Sequence, residues 1–549
     1  MQTSRPSTSS LFERFGSFLR RCVRVDTRSL AVFRILMGSL VIVDLLLRSR
    51  NFHFFYTEEG VVPQSIATTM TPDNAVSVYF LTTDTTAIAG LFVLQALIAL
   101  FLIAGYKTRV ATALSFLFVV SLDHHNPLVL SYADILYRLL FFWAIFVPLG
   151  ERWSVDAVHR ERAPRESVAS IATFLLLGQM VVMYFVNGFH KLQSEMWRGG
   201  MATPKIIGID EITFLLGDLM RELPIVALQM GGLWWFYILL ISPLLLLLGG
   251  RRRAMLVLMF LGGHASFALT MRIGQFPYVA IVGLIPFLQA QVWADGRALL
   301  SWANVDIDRR YGSVRDRLVR FASALPDYTW NTRRGRQAKA AVYNVSLGVV
   351  VLSLLIVVSS VFVQVGVMGE ATDHHERAEE IQEAAEEGPL TQHIYSASLA
   401  LGVDQPSWSV FAPHPRTSDR YYVFPAKTTE GERIDVYNDR ELTFDRPGEE
   451  LQKQHSTYRE RFYMNSVRRG GDRTAVAPTL AEHLCENWEG EDGEQLTHVN
   501  MYFIQENITV ETIDSPDDRE ITRQDQFYLH GCGDNEPRGI DPPQLEQAG

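Results

Sequence analysis

Apolar residues lie in long uninterrupted runs over the first two thirds of the chain. Several runs approach the roughly 20 residues that an α-helix needs to cross a hydrocarbon layer of about 30 Å. The pattern predicts nine membrane-spanning helices, over residues 30–48, 86–104, 109–122, 133–149, 168–188, 229–248, 254–271, 274–293 and 343–366. An odd number of spans places the two ends of the chain on opposite sides of the membrane.

The runs and their connections divide the chain into five predicted segments. They are a cytoplasmic amphipathic N-terminus (1–29), an eight-helix bundle (30–293), a basic cytoplasmic segment (294–342), a last transmembrane helix (343–366) and an acidic extracytoplasmic domain (367–549). In the last segment, alternating runs such as RYYVFPA and HVNMYFIQENITVE are typical of β-strands, and helical patterns occur near 449–469 and 479–488. The predicted fold is therefore a polytopic α-helical membrane bundle with a C-terminal α+β domain.

The distribution of charge predicts the orientation. Basic residues are concentrated in alternate connections, such as those holding Lys107 and Arg109 or Arg251 to Arg253, which is the pattern of cytoplasmic loops. Residues 367–549 carry 37 acidic and 16 basic side chains and are predicted to lie outside the cell. The basic balance of the membrane part follows the positive-inside rule, so no nucleic-acid partner is predicted. The expected location is an integral, multi-pass position in the cell membrane.

The three cysteines and the paired histidines bear on covalent and metal chemistry. Cys485 and Cys532 both lie in the predicted external domain, so we predict that they form a disulfide. Asp123, His124 and His125 are adjacent in the chain. Neighbouring side chains on a helix point in different directions, whereas a metal ion is bound by several side chains that converge on one point. We therefore predict no metal site.

The stretch from Tyr184 to Met201, YFVNGFHKLQSEMWRGGM, carries the strongest candidate chemistry. At 100° per residue, Tyr184, Asn187 and Lys191 share one face of the fifth predicted span. Lys191 at the end of an apolar run is either functional or an interfacial lysine that reaches water or pairs with Glu195.

Further ionisable groups fall in the same predicted outer layer of the membrane. They are Asp44, Asp123, His124, Asp134, His190, Lys191, His264 and Arg272. Polar groups at this depth must face protein or a water-filled cavity, so we predict a polar chamber open to the outside. Within this layer Asp44 is predicted to form a helix-to-helix hydrogen bond, and Asp134 to form a structural i,i+4 pair with Arg138.

Five sequence motifs together resemble the HTTM (horizontally transferred transmembrane) domain family, which includes the vitamin K-dependent gamma-glutamyl carboxylases. The motifs are RILMG with Asp44, PLGERWSVDA, NGFHKL followed by WRGG, HASFALTMRIGQFPY, and WSVFAPHP at residues 408–415. The resemblance extends from about residue 30 to Cys532, and it rests on the order and spacing of the motifs.

The resemblance implies catalytic roles for Lys191, His264 and His190. Lys191 occupies the position of the lysine that deprotonates a reduced quinone in the carboxylases, and His190 replaces the lysine before it. We assign binding of the quinone and the substrate to a set of five residues: Tyr184, Asn187, Trp197, Asp134 and Arg272. In one departure from the family, Ala133 occupies the position of a histidine of the animal enzymes.

The function implied by the resemblance is carboxylation of peptide glutamates coupled to oxidation of a quinol. The expected cofactors are menaquinol or a vitamin K-like quinol with CO2 and O2, and the expected partners are membrane lipids and a peptide or protein substrate on the extracytoplasmic side. One alternative is a non-catalytic maturation or interaction protein of the same family. Another is a transporter or lipid-binding channel, against which the lack of inverted repeats argues. The enzymatic hypothesis predicts that Lys191 and His264 line one cavity.

Overall fold

A computed structural model describes residues 8–327, 332–367, 389–448, 450–490 and 493–540. It contains a helical bundle and a C-terminal antiparallel sheet. The helices of nine or more residues before the sheet are α1 (Thr8–Cys22), α2 (Thr27–Ser49), α3 (Thr85–Ala104), α4 (Thr108–His125), α5 (Tyr132–Ala144), α6 (Ile171–Leu192), α7 (Ile225–Leu240), α8 (Gly250–Thr270), α9 (Phe276–Leu284), α10 (Ala290–Trp302), α11 (Ile307–Ala324), α12 (Arg333–Val367) and α13 (Pro389–Ala400).

Five of the described helices are long and apolar enough to cross a membrane, namely α2, α3, α6, α8 and the 333–359 part of α12. A sixth candidate is the helical pair 276–287 and 290–302, which bends by 100° at its break. Helix α7 is apolar but has only 16 residues, and α5 has 13. Both are shorter than the roughly 20 residues of a perpendicular span. The count of nine spans therefore stays a prediction.

Local sequence signals set the ends of the helices that carry the site. The Ser170 side chain accepts a hydrogen bond from the Thr173 backbone N–H at 3.2 Å, and the Thr173 hydroxyl accepts one from the Ser170 N–H at 2.8 Å. This reciprocal pair is a capping box that starts α6 immediately before its apolar run. Helix α8 ends at Thr270, where Phe214 and Leu216 donate backbone hydrogen bonds to the carbonyls of Thr270 and Leu269.

The C-terminal domain is built on one antiparallel sheet. Its strands are β3 (Ser418–Val423), β4 (Pro425–Thr428), β5 (Arg433–Asp435), β6 (Arg440–Glu441), β7 (Leu496–Asn507) and β8 (Ile521–Gly531), numbered after a two-residue pair, β1 (Val25–Asp26) and β2 (Ser167–Val168), in the bundle. Strand β7 pairs with β8 on one edge and with β3 and then β4 on the other, and β5 and β6 complete that side.

Two helices join the sheet, α14 (Tyr458–Gly470) and α15 (Val476–Asn487). The helical pattern near 449–469 therefore begins later than predicted, and the one near 479–488 begins slightly earlier. The predicted alternating runs coincide with β3, β4 and β7. The disulfide between Cys485 and Cys532 is present and joins α15 to the residue after β8, which confirms the predicted pairing.

Alternation along the strands gives the sheet two apolar faces. Tyr422, Phe424, Met501 and Phe503 belong to the same hydrophobic cluster as the bundle interior. On the opposite face Tyr421, Val423, Tyr502 and Ile504 form a separate cluster with Phe444 and Leu451. Successive strand residues point to opposite faces, so a single strand supplies both clusters. The same cluster includes residues of α14 and α15, so one face of the sheet shares a continuous core with these helices and the bundle.

Candidate functional site

One face of α6 carries three buried polar side chains in register. Tyr184, Asn187 and Lys191 are all buried, and Lys191 is only 2% exposed although it lies next to the end of the helix. Gly188 lies against α7, where an added Cβ would be 3.0 Å from the Leu240 backbone nitrogen. This close approach packs α6 against α7 one turn before Lys191.

A loop of the C-terminal domain, the 407–411 loop, covers the end of α6 with backbone carbonyls. Asn187 Nδ2 donates to the carbonyls of Trp408 at 2.7 Å and Val410 at 2.9 Å. Lys191 Nζ donates to the carbonyls of Val410 at 2.7 Å and Phe411 at 3.3 Å. The loop is thus held in place by the polar face of α6.

The amine of Lys191 also lies over an aromatic ring. Its Nζ is 4.0 Å from the centroid of the Trp197 ring, and Trp197 Nε1 donates to the Phe411 carbonyl at 2.8 Å. Lys191 forms no ion pair within the described part of the chain, and its hydrogen bonds go to the loop rather than to Glu195, which is exposed. Lys191 is therefore held by dipoles and a π-face, not by a carboxylate.

His264 on α8 faces the same space from the other side. Its Nε2 is 2.8 Å from the Tyr184 hydroxyl, so Tyr184 connects the two helices. The imidazole is completely buried among the rings of Trp235, Phe267 and Phe276. His264 Nδ1 has no hydrogen-bond partner among the described residues. A buried ring nitrogen in this state has the capacity to bind a further polar group.

These side chains line one cavity of about 230 Å³. Lys191, His264, Tyr184, Asn187 and Trp197 contribute polar and aromatic groups. The remaining wall is mostly apolar and comes from α7, α8, the 407–411 loop and segments 203–223 and 271–276. Ala227, Gly231 and Trp234 of α7 and Ser266 of α8 line the cavity and are also exposed. The exposed side of the cavity therefore lies between two apolar helices.

Three other residues predicted for this site lie outside the cavity wall. His190 Nε2 is 2.9 Å from the Ser407 carbonyl. Arg272 donates to the carbonyls of Gln452, His455 and Ser456, so it fastens the C-terminal domain to the end of α8. Asp134 belongs to a separate ion-pair cluster. The predicted single polar chamber is therefore wrong, because only Lys191 and His264 of the predicted ionisable groups line the cavity. Asp44, Asp123 and Asp134 form the ion-pair cluster, and His124, His190 and Arg272 bind backbone carbonyls elsewhere.

The separate cluster, here called the ion-pair cluster, comprises three aspartates and three arginines: Asp44, Asp123, Asp134, Arg48, Arg138 and Arg459. Arg48 contacts Asp44 at 2.8 Å and Asp123 at 2.7 Å, and Arg459 contacts Asp44 at 2.5 Å and Asp134 at 3.0 Å. Arg138 lies 3.7 Å from Asp123 and does not pair with Asp134, contrary to the predicted i,i+4 pair. Arg459 belongs to α14, so the cluster joins the bundle to the C-terminal domain.

A second charged group, here called the arginine cluster, lies where the end of α8 meets the C-terminal domain. It contains Arg272, Arg416, Arg420, Arg461 and Arg468, with Glu211 and Glu460 as the nearby carboxylates. Arg272 lies between two residues that line the cavity, Met271 and Ile273. The five arginines are not among the residues that line the cavity, so the backbone of Arg272 is what joins the arginine cluster to the cavity wall.

The arginine cluster is partly desolvated and has spare capacity for anions. Burial of Glu211 opposes its charge, but Arg416 and Arg461 hold the pKa of Glu211 below its ordinary value. Burial, reinforced by Arg416, lowers the pKa of Arg420 to about 10. The Nε atoms of Arg420, Arg461 and Arg468 are buried and have no hydrogen-bond partner among the described residues. Five guanidinium groups against two carboxylates leave an excess of positive charge.

Two elements of the site were not predicted from the sequence. One is the set of loop carbonyls that bind Lys191 and Asn187, although the WSVF segment that supplies them was singled out by its resemblance. The other is Trp235, whose ring lies 5.3 Å from the His264 ring at an angle of 86° and forms the wall toward α7. A tryptophan in an apolar run is indistinguishable by pattern from one that faces lipid.

Comparison with known proteins assigns the bundle to a family. Residues 23–293 match the family model of the HTTM domain, which agrees with the predicted resemblance. No curated protein and no solved structure shows a significant match to the chain. The matched region includes α6 with Lys191 and α8 with His264. The protein is a multi-pass membrane protein, and its residues 23–293 belong to the HTTM domain family.

Proposed function

We propose that this protein is a membrane enzyme of the gamma-glutamyl carboxylase type, which uses a reduced quinone to carboxylate glutamates in a peptide or protein. The observation that carries the proposal is that Lys191 and His264 line one mostly apolar cavity. An apolar wall with a few convergent polar groups is the usual composition of a small-molecule site. The exposed side of the cavity between α7 and α8 would admit a lipid-soluble molecule from the bilayer.

The residues present fit a quinol headgroup. The rings of Trp197, Trp235 and Phe267 offer flat apolar surfaces for a fused ring, and His264 Nδ1 is a buried nitrogen in need of a partner. A quinol carries two hydroxyl groups on opposite edges of its ring, so it can form hydrogen bonds with polar groups on two sides of a cavity. Lys191 on α6 and His264 on α8 are such a pair.

The contacts of Lys191 suit a base that accepts a hydroxyl proton. A neutral amine has two N–H bonds and one lone pair. The carbonyls of Val410 and Phe411 account for two N–H bonds, which leaves the lone pair for a proton from the cavity. After transfer, the same carbonyls and the Trp197 ring stabilise the ammonium.

When bound, the quinol supplies electrons to O2 and thereby the strong base that takes a proton from the glutamyl γ-carbon, which then forms a bond to CO2. The arginine cluster is suited to hold the substrate during this reaction. Its planar guanidinium groups bind carboxylates in a bidentate manner, so several acidic side chains of one peptide can be held together beside the cavity. This arrangement favours a glutamate-rich substrate over a neutral one.

Removal of two arginines of the cluster is expected to weaken substrate binding. Arg420 and Arg468 form no ion pair with described carboxylates, so the double variant Arg420→Gln with Arg468→Gln removes charge without leaving a buried acid unpaired. A charged hydrogen bond contributes about 1.5–3 kcal/mol, so KM for an acidic peptide should rise at least ~10-fold while kcat changes little. The exposed pair Arg433→Gln with Arg473→Gln is the matched control. A fall in kcat at unchanged KM would contradict this role.

The proposed orientation places the basic connections in the cytoplasm and the acidic C-terminal domain outside the cell. The cavity adjoins the C-terminal domain, so a secreted or surface peptide would be the substrate. A reporter fused after residue 549 and scored for activity on either side of the membrane would test this orientation.

The proposed function is tested by incorporation of isotope-labelled CO2 into a glutamate-rich peptide. The purified protein would be reconstituted in vesicles with reduced menaquinone and O2, and the product analysed by mass spectrometry for γ-carboxyglutamate. We expect labelling that requires the quinol. Quinol binding without any labelling over a range of acidic peptides would favour the non-catalytic maturation protein instead.

A further inference from the structure

A second cavity lies at the other end of α8 from the candidate site. It has a volume of about 880 Å³ and is formed by α1, the β1–β2 pair, the turn before α8 and the start of α10. Residues near Gly250 line it at the beginning of α8, whereas His264 and Thr270 line the cavity around Lys191. The two sites therefore face opposite ends of the bundle. This second cavity is here called the basal pocket.

The basal pocket is strongly cationic. Five arginines and two carboxylates line it. One carboxylate, Asp26, is already neutralised by Arg28, with Nη2 to Oδ2 at 2.6 Å. Three arginines, Arg21, Arg24 and Arg297, are exposed and form no ion pair or side-chain hydrogen bond within the described part of the chain. They come from α1, the segment after it and α10, so three separate parts of the fold present guanidinium groups to one space.

The same pocket has an apolar component. Phe18, Leu247 and Leu248 line it beside the arginines. Apolar side chains contribute nothing to the binding of phosphate or another small soluble anion. A molecule with an anionic head and an apolar body matches both parts of the lining.

The two helices that frame the pocket have the features of helices that lie in a membrane surface. Helix α1 exposes Phe15 at 60% and Leu19 at 46% alongside its arginines. Helix α10 follows a bend of 100° after the preceding apolar helix and exposes Trp302 at 82%. Exposed aromatic and aliphatic side chains next to basic ones are typical of interfacial helices. The mouth of the pocket is therefore at the level where lipid headgroups lie.

We infer that the basal pocket binds the headgroup of an anionic phospholipid. Arg21, Arg24 and Arg297 bind the phosphate and any further anionic group, because guanidinium groups match phosphate oxygens in geometry and charge. Phe18, Leu247 and Leu248 contact the upper part of the acyl chains. The bound lipid fastens α1 and α10 to the bundle at its basic end.

The test compares lipid binding by two variants that lose the same charge. The pocket variant carries Arg21→Gln, Arg24→Gln and Arg297→Gln. The control variant carries Arg317→Gln, Arg320→Gln and Arg336→Gln, three exposed arginines outside the pocket. Binding of short-chain phosphatidylglycerol and phosphatidylcholine to the detergent-solubilised full chain would be measured by native mass spectrometry, with inorganic phosphate as a competitor. Thermal unfolding of each variant would establish that it is folded.

We expect the wild type and the control variant to prefer phosphatidylglycerol, and the pocket variant to bind it about 100-fold more weakly. Equal affinity of the wild type for the two lipids would overturn the inference. Equal weakening in both variants would also overturn it, since binding would then follow overall charge. Displacement of the lipid by phosphate at similar concentrations would identify a soluble-anion site instead.

Discussion

Replacement of Lys191 by methionine is expected to lower quinol-dependent carboxylation by about 10²–10⁴-fold, the range in which loss of a general base normally falls. Methionine fills nearly the same space, but its sulfur is not basic and it has no N–H group. The variant removes one of two donors from each of two loop carbonyls, because Asn187 still donates to Val410 and Trp197 still donates to Phe411. Each lost hydrogen bond costs about 0.5–1.5 kcal/mol of stability. Thermal unfolding of the variant must therefore be measured beside its activity.

Two further variants test whether Lys191 acts as a base or only as a positive charge that holds the 407–411 loop. Lys191→Arg keeps the positive charge and the donors to the loop, but a guanidinium does not release its proton in proteins. It should be as inactive as Lys191→Met. Lys205→Met is the matched control, because Lys205 also donates to a carbonyl of the C-terminal domain, that of Ile508, and lies outside the cavity wall. Activity retained in Lys191→Arg would exclude Lys191 as the base.

Arg459→Met is expected to destabilise the protein by about 3–5 kcal/mol. The Arg459 guanidinium is buried and contacts Asp44 at 2.5 Å and Asp134 at 3.0 Å. Its removal leaves three aspartates against two arginines in a mostly buried site. The desolvation of these carboxylates is then no longer compensated, and the contact between α14 and the bundle is weakened.

The measurement is the unfolding midpoint of the purified protein, together with the rate at which a protease releases the C-terminal domain. A second substitution, Asp44→Asn, should restore part of the stability of Arg459→Met because it removes one unpaired charge. Lys453→Met is the control, since the Lys453–Glu450 pair has a similar distance of 2.8 Å but is 72% and 48% exposed. Exposed pairs contribute about 0–1 kcal/mol. Equal effects of Arg459→Met and Lys453→Met would contradict a stabilising role for the ion-pair cluster.

Hydropathy predicted the long helices well because a continuous apolar run has few alternatives to a membrane-spanning helix. It does not decide the number of spans. Helices α5 and α7 are short, and the pair 276–302 bends by 100°. The length of an apolar run is therefore not enough to establish that the segment crosses the membrane. In the C-terminal domain, β8 was missed because its sequence, ITRQDQFYLHG, is polar or half-exposed along most of its length.

Only the part of the site that depends on local helix geometry was predicted. The helical period correctly places Tyr184, Asn187 and Lys191 on one face of α6, since that relation is local. Depth in the membrane is also readable from sequence, but the direction in which each helix faces around the bundle is not. Asp134 and Arg272 share the layer of Lys191 yet face the ion-pair cluster and the C-terminal domain. Backbone carbonyls, which bind Lys191, carry no signature in the sequence.

The central claim is that the amine of Lys191 accepts a proton in the cavity, and rescue of Lys191→Ala by small primary amines tests it most directly. The variant would be assayed for quinol-dependent labelling of a glutamate-rich peptide in the presence of amines of similar size and increasing basicity. We predict that labelling returns with added amine and rises with its basicity. If the wild type is active and Lys191→Ala either keeps that activity or stays inactive with every amine, Lys191 is not the base and the proposed mechanism is wrong.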